Sequence, residues 1–487
     1  MTRRRFLEIM PGFISWNVIL FLVWGGFFFP VVVAYLILAF DVLWVYKGLS
    51  LVIAATLSYF RIKAAELLDW MKEVEGFGDW KKVRHIVMIM VANESVDIYK
   101  RTLEKLAQQT FPLKQIAVVM ATEERIPAGR AGCEGLRKSL GKKFGEYIVT
   151  SHPAGIPGET VGKHSNETWA AKEAKRILVK EKGWDMRYIT ITSNDADVLL
   201  HQQYLAGLTF KFLDDPHRYE KFWQPAVMFY NNIWRIPAPT RVVNTFSNVW
   251  QLGLASRRDR NVTFSNYSAA LQMIDKIGYW DVDAIPEDYR IFFKAFFKLG
   301  GRVEVESIFL PSSADAAEST SMWRTFVNEY KQKQRWAWGV SDIPVFIEMY
   351  VKQPGVSFLN KTVRLLRVIE DHVLWPTSWF IVTVGVPIVT FVNPAFKRTA
   401  LGLSLPALTS GILSITLVFL LVLLIIDAKR RPPRPEHFSK WRAWLGPLEF
   451  VFMPIVGLFF GSLPGLDAHT RLMLGKYLEY RVTEKIK

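Results

Sequence analysis

The placement of apolar residues constrains this 487-residue chain more than any other feature. A nearly continuous apolar stretch covers residues 13–46, roughly twice the ~20 residues that one bilayer crossing needs. Gly25-Gly26 and Pro30 interrupt it near its middle. This predicts two short spans, 13–29 and 30–46, forming a hairpin within residues 1–48, with one long bent helix as the alternative. Asp41 falls inside the second span, where a carboxylate is costly and must face protein or the interface. Apolar runs return at 375–392 and 403–426, giving a helix pair over 375–427. A shorter run at 448–463 contains Pro454 and reads better as a re-entrant or interfacial element than as a fifth crossing.

Between these ends the pattern changes. Over 49–83, Leu51, Val52, Ala55, Tyr59, Ile62, Leu67 and Trp70 alternate with Arg61, Lys63, Glu66 and Asp69 at helical spacing, as in an amphipathic helix lying along a membrane surface. Residues 84–345 read as a soluble α/β domain. Strand-like runs at 85–91, 115–120 and 188–192 alternate with helical patterns at 96–109 and 167–181. That alternation predicts a mixed, mostly parallel sheet with helices on both faces, whose ligands sit beyond the carboxyl ends of the strands. Residues 346–374 read as an interfacial segment, and 428–487 as a basic loop, the re-entrant piece and an amphipathic tail with Arg471, Lys476, Arg481 and Lys485.

Charge orients the chain. Arg3, Arg4 and Arg5 stand at one end, and Lys429, Arg430, Arg431 and Arg434 follow the last long span. The positive-inside rule puts both clusters and both termini in the cytosol, against the smaller Lys397-Arg398 pair between two spans. Four spans are thereby expected in a cytoplasmic membrane. The excess of 61 Lys and Arg over 45 Asp and Glu suits anionic lipid or a diphosphate. No nucleic-acid-binding motif accompanies it, so nucleic acid is not expected as a partner. A lone Cys133 cannot form an intrachain disulfide, in keeping with a reducing cytosol. Nothing in the sequence fixes an oligomeric state.

Three motifs carry candidate chemistry. The run Tyr188-Ile-Thr-Ile-Thr-Ser-Asn-Asp-Ala-Asp197 ends a β-prone segment in two carboxylates one residue apart. On extended backbone Asp195 and Asp197 point to one side, where they suit a hard divalent cation that also bridges a diphosphate. A solvated turn with Asp197 capping a helix is the plain alternative. In Ala284-Ile-Pro-Glu-Asp-Tyr289, Glu287 and Asp288 open a helical run. They fit either dipole-favoured capping or a general base that takes a hydroxyl proton. In Gln332-Lys-Gln-Arg-Trp336, Arg335 offers a planar fork for phosphate and Trp336 a flat face for a sugar ring, unless the helix is simply a basic, membrane-proximal one.

The order of these motifs inside an α/β domain flanked by spans resembles the family-2 glycosyltransferases, and within them the membrane-integrated branch with cellulose, chitin and hyaluronan synthases. Asn93-Glu94, the later Leu103 and Gln109-Thr-Phe-Pro112, and Gly162-Lys-His-Ser-Asn166 resemble further segments of that family. The resemblance implies a GT-A-like fold. It also implies an inverting, metal-dependent transfer from a nucleotide-sugar donor, most simply a UDP-sugar. By position, Asp195 would contact the nucleotide sugar, Asp197 would hold Mg²⁺ or Mn²⁺, and Asp288 would be the base. Lys163 would lie near the nucleotide, and Gln332, Arg335 and Trp336 would hold the acceptor end and the diphosphate. Where the family usually has an Asp after its second strand, this chain reads Met120-Ala-Thr-Glu-Glu124, so uracil or ribose contact is assigned to Glu123, with Glu124 as the alternative. The expected acceptor is a growing polysaccharide. A lipid-linked acceptor taking one sugar is the alternative, and an inactive scaffold is disfavoured by the intact motifs.

Overall fold

The computed structural model describes residues 2–436 and 446–479. The expected tail positions Arg481 and Lys485 lie outside them. The chain opens with α1, Arg3–Phe28, capped by the Thr2 hydroxyl, which accepts from the Arg5 N–H. Phe29 separates it from α2, Pro30–Leu67, where Pro30 sits in the first turn and its missing N–H costs nothing. The expected break near residue 49 does not occur: α2 is one helix of 38 residues. No proline or glycine-based stop interrupts it. Its second half buries Ala55, Tyr59 and Ile62 against residues of the Ala238–Ala255 helix such as Val249 and Leu252, so it belongs to a packed interface rather than to a free surface helix. Asp41 is wholly buried on α2.

Two further expectations change. The segment assigned to an interface at 346–374 and the span beginning at 375 are largely one helical stretch, Phe358–Val392, carried through a wider turn at Phe380–Val384. Leu448–Leu474 is also long and apolar enough to cross a membrane, with Pro454 placed in the first turn of the short Met453–Gly457 helix, where a proline is tolerated. Among the described residues five helices meet that criterion, where four spans were expected. The fifth is Ala400–Arg430.

The α/β part is built on a seven-stranded mixed sheet in the order β3-β2-β1-β4-β6-β5-β7. The strands are β1 Arg84–Met90, β2 Ile116–Glu123, β3 Glu146–His152, β4 Ile189–Asp195, β5 Lys221–Met228, β6 Tyr267–Ala270 and β7 Glu304–Ser313. β1 pairs in parallel with β2 and β4, β2 with β3, and β5 with β7; only β6 runs antiparallel, between β4 and β5. β2 is buried at every position and β1 at all but its first, as expected of strands covered on both faces. The parallel set brings the ends of β1, β2, β3 and β4 to one edge. Because β6 is reversed, the loop before it arrives at that same edge, with Tyr267 beside Ser193.

Gly145 shows how tightly the sheet entry is packed. Its N–H donates to the carbonyls of Leu113 and Ile116, each at 3.0 Å, and a Cβ there would collide with the Lys114 carbonyl oxygen. Gly145→Ala is expected to destabilise the soluble domain by about 1–3 kcal/mol, because backbone rather than a flexible side chain must yield. A lowered thermal unfolding midpoint of the detergent-solubilised protein would check this.

Candidate active site

At the carboxyl edge of the sheet, three acidic residues from distant parts of the chain surround one lysine. Lys163 opens the Lys163–Lys175 helix, and its ammonium is only 7% exposed. It lies 3.0 Å from Asp195 Oδ1 at the end of β4, 3.1 Å from Asp288 Oδ1 and 3.4 Å from Glu287 Oε1. Glu287 and Asp288 form the first turn of the Glu287–Lys298 helix. Burial alone would lower the pKa of the Lys163 ammonium, but Asp195, Asp288 and Glu287 more than offset it and hold the group well above its ordinary range. Burial raises the carboxyl pKa of Glu287. For Asp288, burial together with the charges of Glu287 and Asp195 pushes the carboxyl up to about 7, against the pull of Lys163. One turn along from Lys163, Glu167 is fully buried, and that burial raises its carboxyl well above the usual range.

The loop before β6 closes this cluster. The Ser265 N–H donates to Asp288 Oδ2 at 2.9 Å, its hydroxyl donates to Asp195 Oδ2 at 2.8 Å, and its carbonyl accepts from Lys163 Nζ at 3.2 Å. Thr263 adds a hydroxyl bond to the Asp288 carbonyl. No periodicity or motif marks Ser265, Thr263 or Glu167 in the sequence, because what distinguishes them is whom they meet across the fold.

Asp195 and Asp197 part company. β4 ends at Asp195 and the chain turns, with the Val198 N–H donating to the Asp195 carbonyl, so the alternation of extended backbone no longer applies at Asp197. Asp197 is buried and its Oδ2 accepts the Asp315 N–H at 2.9 Å, while Asp315 is gripped by Arg101 at 2.7 and 2.8 Å. Asp195 keeps a third of its side chain exposed. Among the described residues no group of three or more His, Cys, Asp or Glu is spaced to hold a metal ion. The donor chemistry nevertheless fits Mg²⁺ or Mn²⁺, which need only one or two protein carboxylates when substrate phosphates and water complete the shell.

The Met322–Ala337 helix brings the third motif alongside. Arg335 is close enough for its charge to pull the Glu287 carboxyl downward against burial. Gln332 is buried and its Oε1 has no hydrogen-bond partner among the described residues. Trp336 packs at 5.8 Å from the Phe229 ring and 5.5 Å from Phe264, with the Lys333 ammonium 3.9 Å over its own ring. Glu123 stands farther along the same edge, at the end of β2, buried and paired with Arg125. Neighbouring Glu124 accepts the Ala154 N–H at 2.9 Å. Lys163, Asp195, Glu287, Asp288 and Arg335 thus share one site, and Asp197, two residues beyond Asp195, accepts the Asp315 N–H.

The family model described as "Glycosyl transferase family group 2" matches residues 190–428, a range that contains Asp195, Asp197, Asp288 and the Gln332–Trp336 motif. No curated protein matches the sequence. Among solved structures, the mannosyltransferase PcManGT from Pyrobaculum calidifontis in complex with GDP-Man and Mn²⁺ is similar at 14% identity and a TM-score of 0.44, covering 81% of this chain and 98% of that one. S. aureus TarS 1-349 in complex with UDP-GlcNAc is similar at 12% identity and a TM-score of 0.36, covering 82% of this chain and 93% of that one.

Removing the central cation should expose how much it holds together. Lys163→Met leaves Asp195, Glu287 and Asp288 facing one another, and breaking a buried charge set in this way costs about 3–5 kcal/mol. The loss should be larger at pH 8 than at pH 5, where the raised pKa of Glu287 and Asp288 lets them take up protons. Unfolding midpoints of both proteins at the two pH values would check it.

Proposed function

We propose that this chain is a family-2 glycosyltransferase with a GT-A-like fold, an inverting, metal-dependent enzyme that moves a sugar from a UDP-sugar to a growing polysaccharide at the cytosolic face of a membrane. The observation that carries this reading is the meeting of Lys163, Asp195 and Asp288 within 3.1 Å contacts, with Arg335 beside Glu287. The five apolar helices support membrane embedding, and the basic residues at Arg3–Arg5 and Lys429–Arg434 support a cytosolic site.

In this reading the donor diphosphate lies over Asp195 and Lys163, with the uracil or ribose toward Glu123. Asp195 and Asp197 would hold Mg²⁺ or Mn²⁺. When bound, the ion supplies Lewis-acid stabilisation of the charge developing on the leaving diphosphate. Lys163 and Arg335 add fixed positive charge to the same oxygens in a site partly shielded from water. Asp288 accepts the proton of the acceptor hydroxyl, whose oxygen attacks the anomeric carbon from the side opposite the diphosphate and inverts it. A carboxyl that titrates near neutrality suits that task better than one of ordinary acidity. Gln332 and Trp336 would flank the acceptor end.

UDP release by the purified protein with Mn²⁺, over a panel of UDP-sugars, tests the assignment. Asp288→Asn should lower kcat by about 10²–10⁴, and Asp197→Ala should abolish the dependence on Mn²⁺. If both variants match the wild type, the site is wrongly assigned. Because the base must be ionised, kcat/KM should rise with pH through about 7, with the apparent midpoint belonging to the coupled Glu287–Asp288 pair. A ladder of products is expected. One lipid-linked product would overturn the polymer reading and leave the transferase reading intact.

A further inference from the structure

We infer that Ser265 is a positioning residue that sets the donor-side carboxylate and the base in one fixed relation. This rests on the reading of Asp195 and Asp288 given above. Three separate groups of this one residue reach three different members of the site. The hydroxyl holds Asp195, the N–H holds Asp288 and the carbonyl holds Lys163, all within 3.2 Å. Each bond ties a different member of the cluster to the same short loop.

The backbone at this position carries a second, independent mark. Ser265 has φ 56°, in the left-handed region, and it is one of two non-glycine residues there among the described residues. A serine held in that region is disfavoured and persists only when its surroundings over-determine it; such outliers cluster at functional sites. The surroundings are visible. Phe264 N–H donates to Gln224 Oε1 at 2.9 Å, Gln224 Nε2 donates to the Phe264 and Asn266 carbonyls at 3.0 Å, and Ser312 donates to Asn266 Oδ1 at 2.8 Å. β5 and β7 therefore clamp the residues on either side and leave Ser265 turned toward the site. Asp195 ends β4 and Asp288 begins a helix 93 positions later in the sequence, so nothing local sets their separation. Ser265 does so with a bond to each.

The two halves of this role separate by substitution. Ser265→Gly is at ease at positive φ and keeps the N–H and carbonyl bonds, losing only the hydroxyl on Asp195. Its KM for donor should rise about tenfold with kcat within about threefold of wild type, and its unfolding midpoint should not fall. Ser265→Val is β-branched and resists the left-handed region, so the loop must turn and the amide leaves Asp288. Its kcat should fall at least about hundredfold while binding of UDP with Mn²⁺, read by calorimetry, changes less than about tenfold. Should the Val protein fail to fold, Ser265→Ala replaces it, with the KM rise of the Gly variant and a larger loss of kcat. Rates are read as nucleotide release from the fastest substrate in a set of UDP- and GDP-sugars. Wild-type KM in the Gly variant, or a parallel fall of kcat, binding and midpoint in the Gly and Val variants, would overturn the inference. Asp288→Asn in the same assay separates the two readings. A fully active Asp288→Asn protein removes the base assignment itself, whereas an inactive one beside unaltered Ser265 variants removes only the role given to Ser265.

Discussion

A single buried ammonium holds the site together. Lys163 stands against Asp195, Glu287 and Asp288, groups that end a strand and begin a helix far apart in the chain. Three carboxylates at that spacing repel one another strongly in a low-dielectric pocket, and without a cation between them the carboxyl edge of the sheet would not close. Asp288 is thereby kept near the pH range where a proton can be accepted and released, because burial and its acidic neighbours act against the lysine. Structural charge balance and the acid–base property of the site come from the same contacts.

The apolar helices are joined to this domain by specific bonds. α2 runs unbroken from its apolar first half to Leu67, and Glu66 near its end takes both Arg430 nitrogens at 2.7 and 2.8 Å. Tyr230, just beyond β5, donates to Asp427 at 2.8 Å, and Arg431 donates to the same aspartate and to Thr245. On the other side Lys47 and Arg260 meet at Glu370, at 2.7 and 2.8 Å. Basic residues that the positive-inside rule reads as orientation signals therefore also pair with acids of the junction, half-buried Glu66 for Arg430 and buried Asp427 for Arg431. Arg430 and Arg431 do both, which is why their charge is retained in a packed junction.

Much of this was legible in the chain. Short β-prone runs and period-3.6 patterns marked the sheet and its helices, and the long apolar runs marked the long helices. Motif order brought Asp195, Asp288, Lys163 and Arg335 forward as site candidates. What failed did so for identifiable reasons. α2 was divided because an amphipathic pattern looks the same whether the apolar face meets lipid or the Ala238–Ala255 helix. The run at 448–463 was judged too short because its helical continuation to Leu474 carries polar residues such as His469 and Arg471. Strand alternation applies to Asp195 and Asp197 only while the backbone stays extended, and the strand ends at Asp195.

Sequence by itself determined the element types, the α/β class, the concentration of apolar helices at the two ends and the residue types from which the site is made. These follow from local periodicity and side-chain chemistry, which need no knowledge of neighbours. Only the tertiary structure decided that Lys163 sits among three carboxylates, that Asp197 turns to the Asp315 amide, and that Ser265 grips both Asp195 and Asp288. Those contacts depend on β6 running antiparallel and delivering its preceding loop to the edge where the parallel strands end. Strand direction is set by long-range pairing across the sheet, and no stretch of neighbouring residues encodes it.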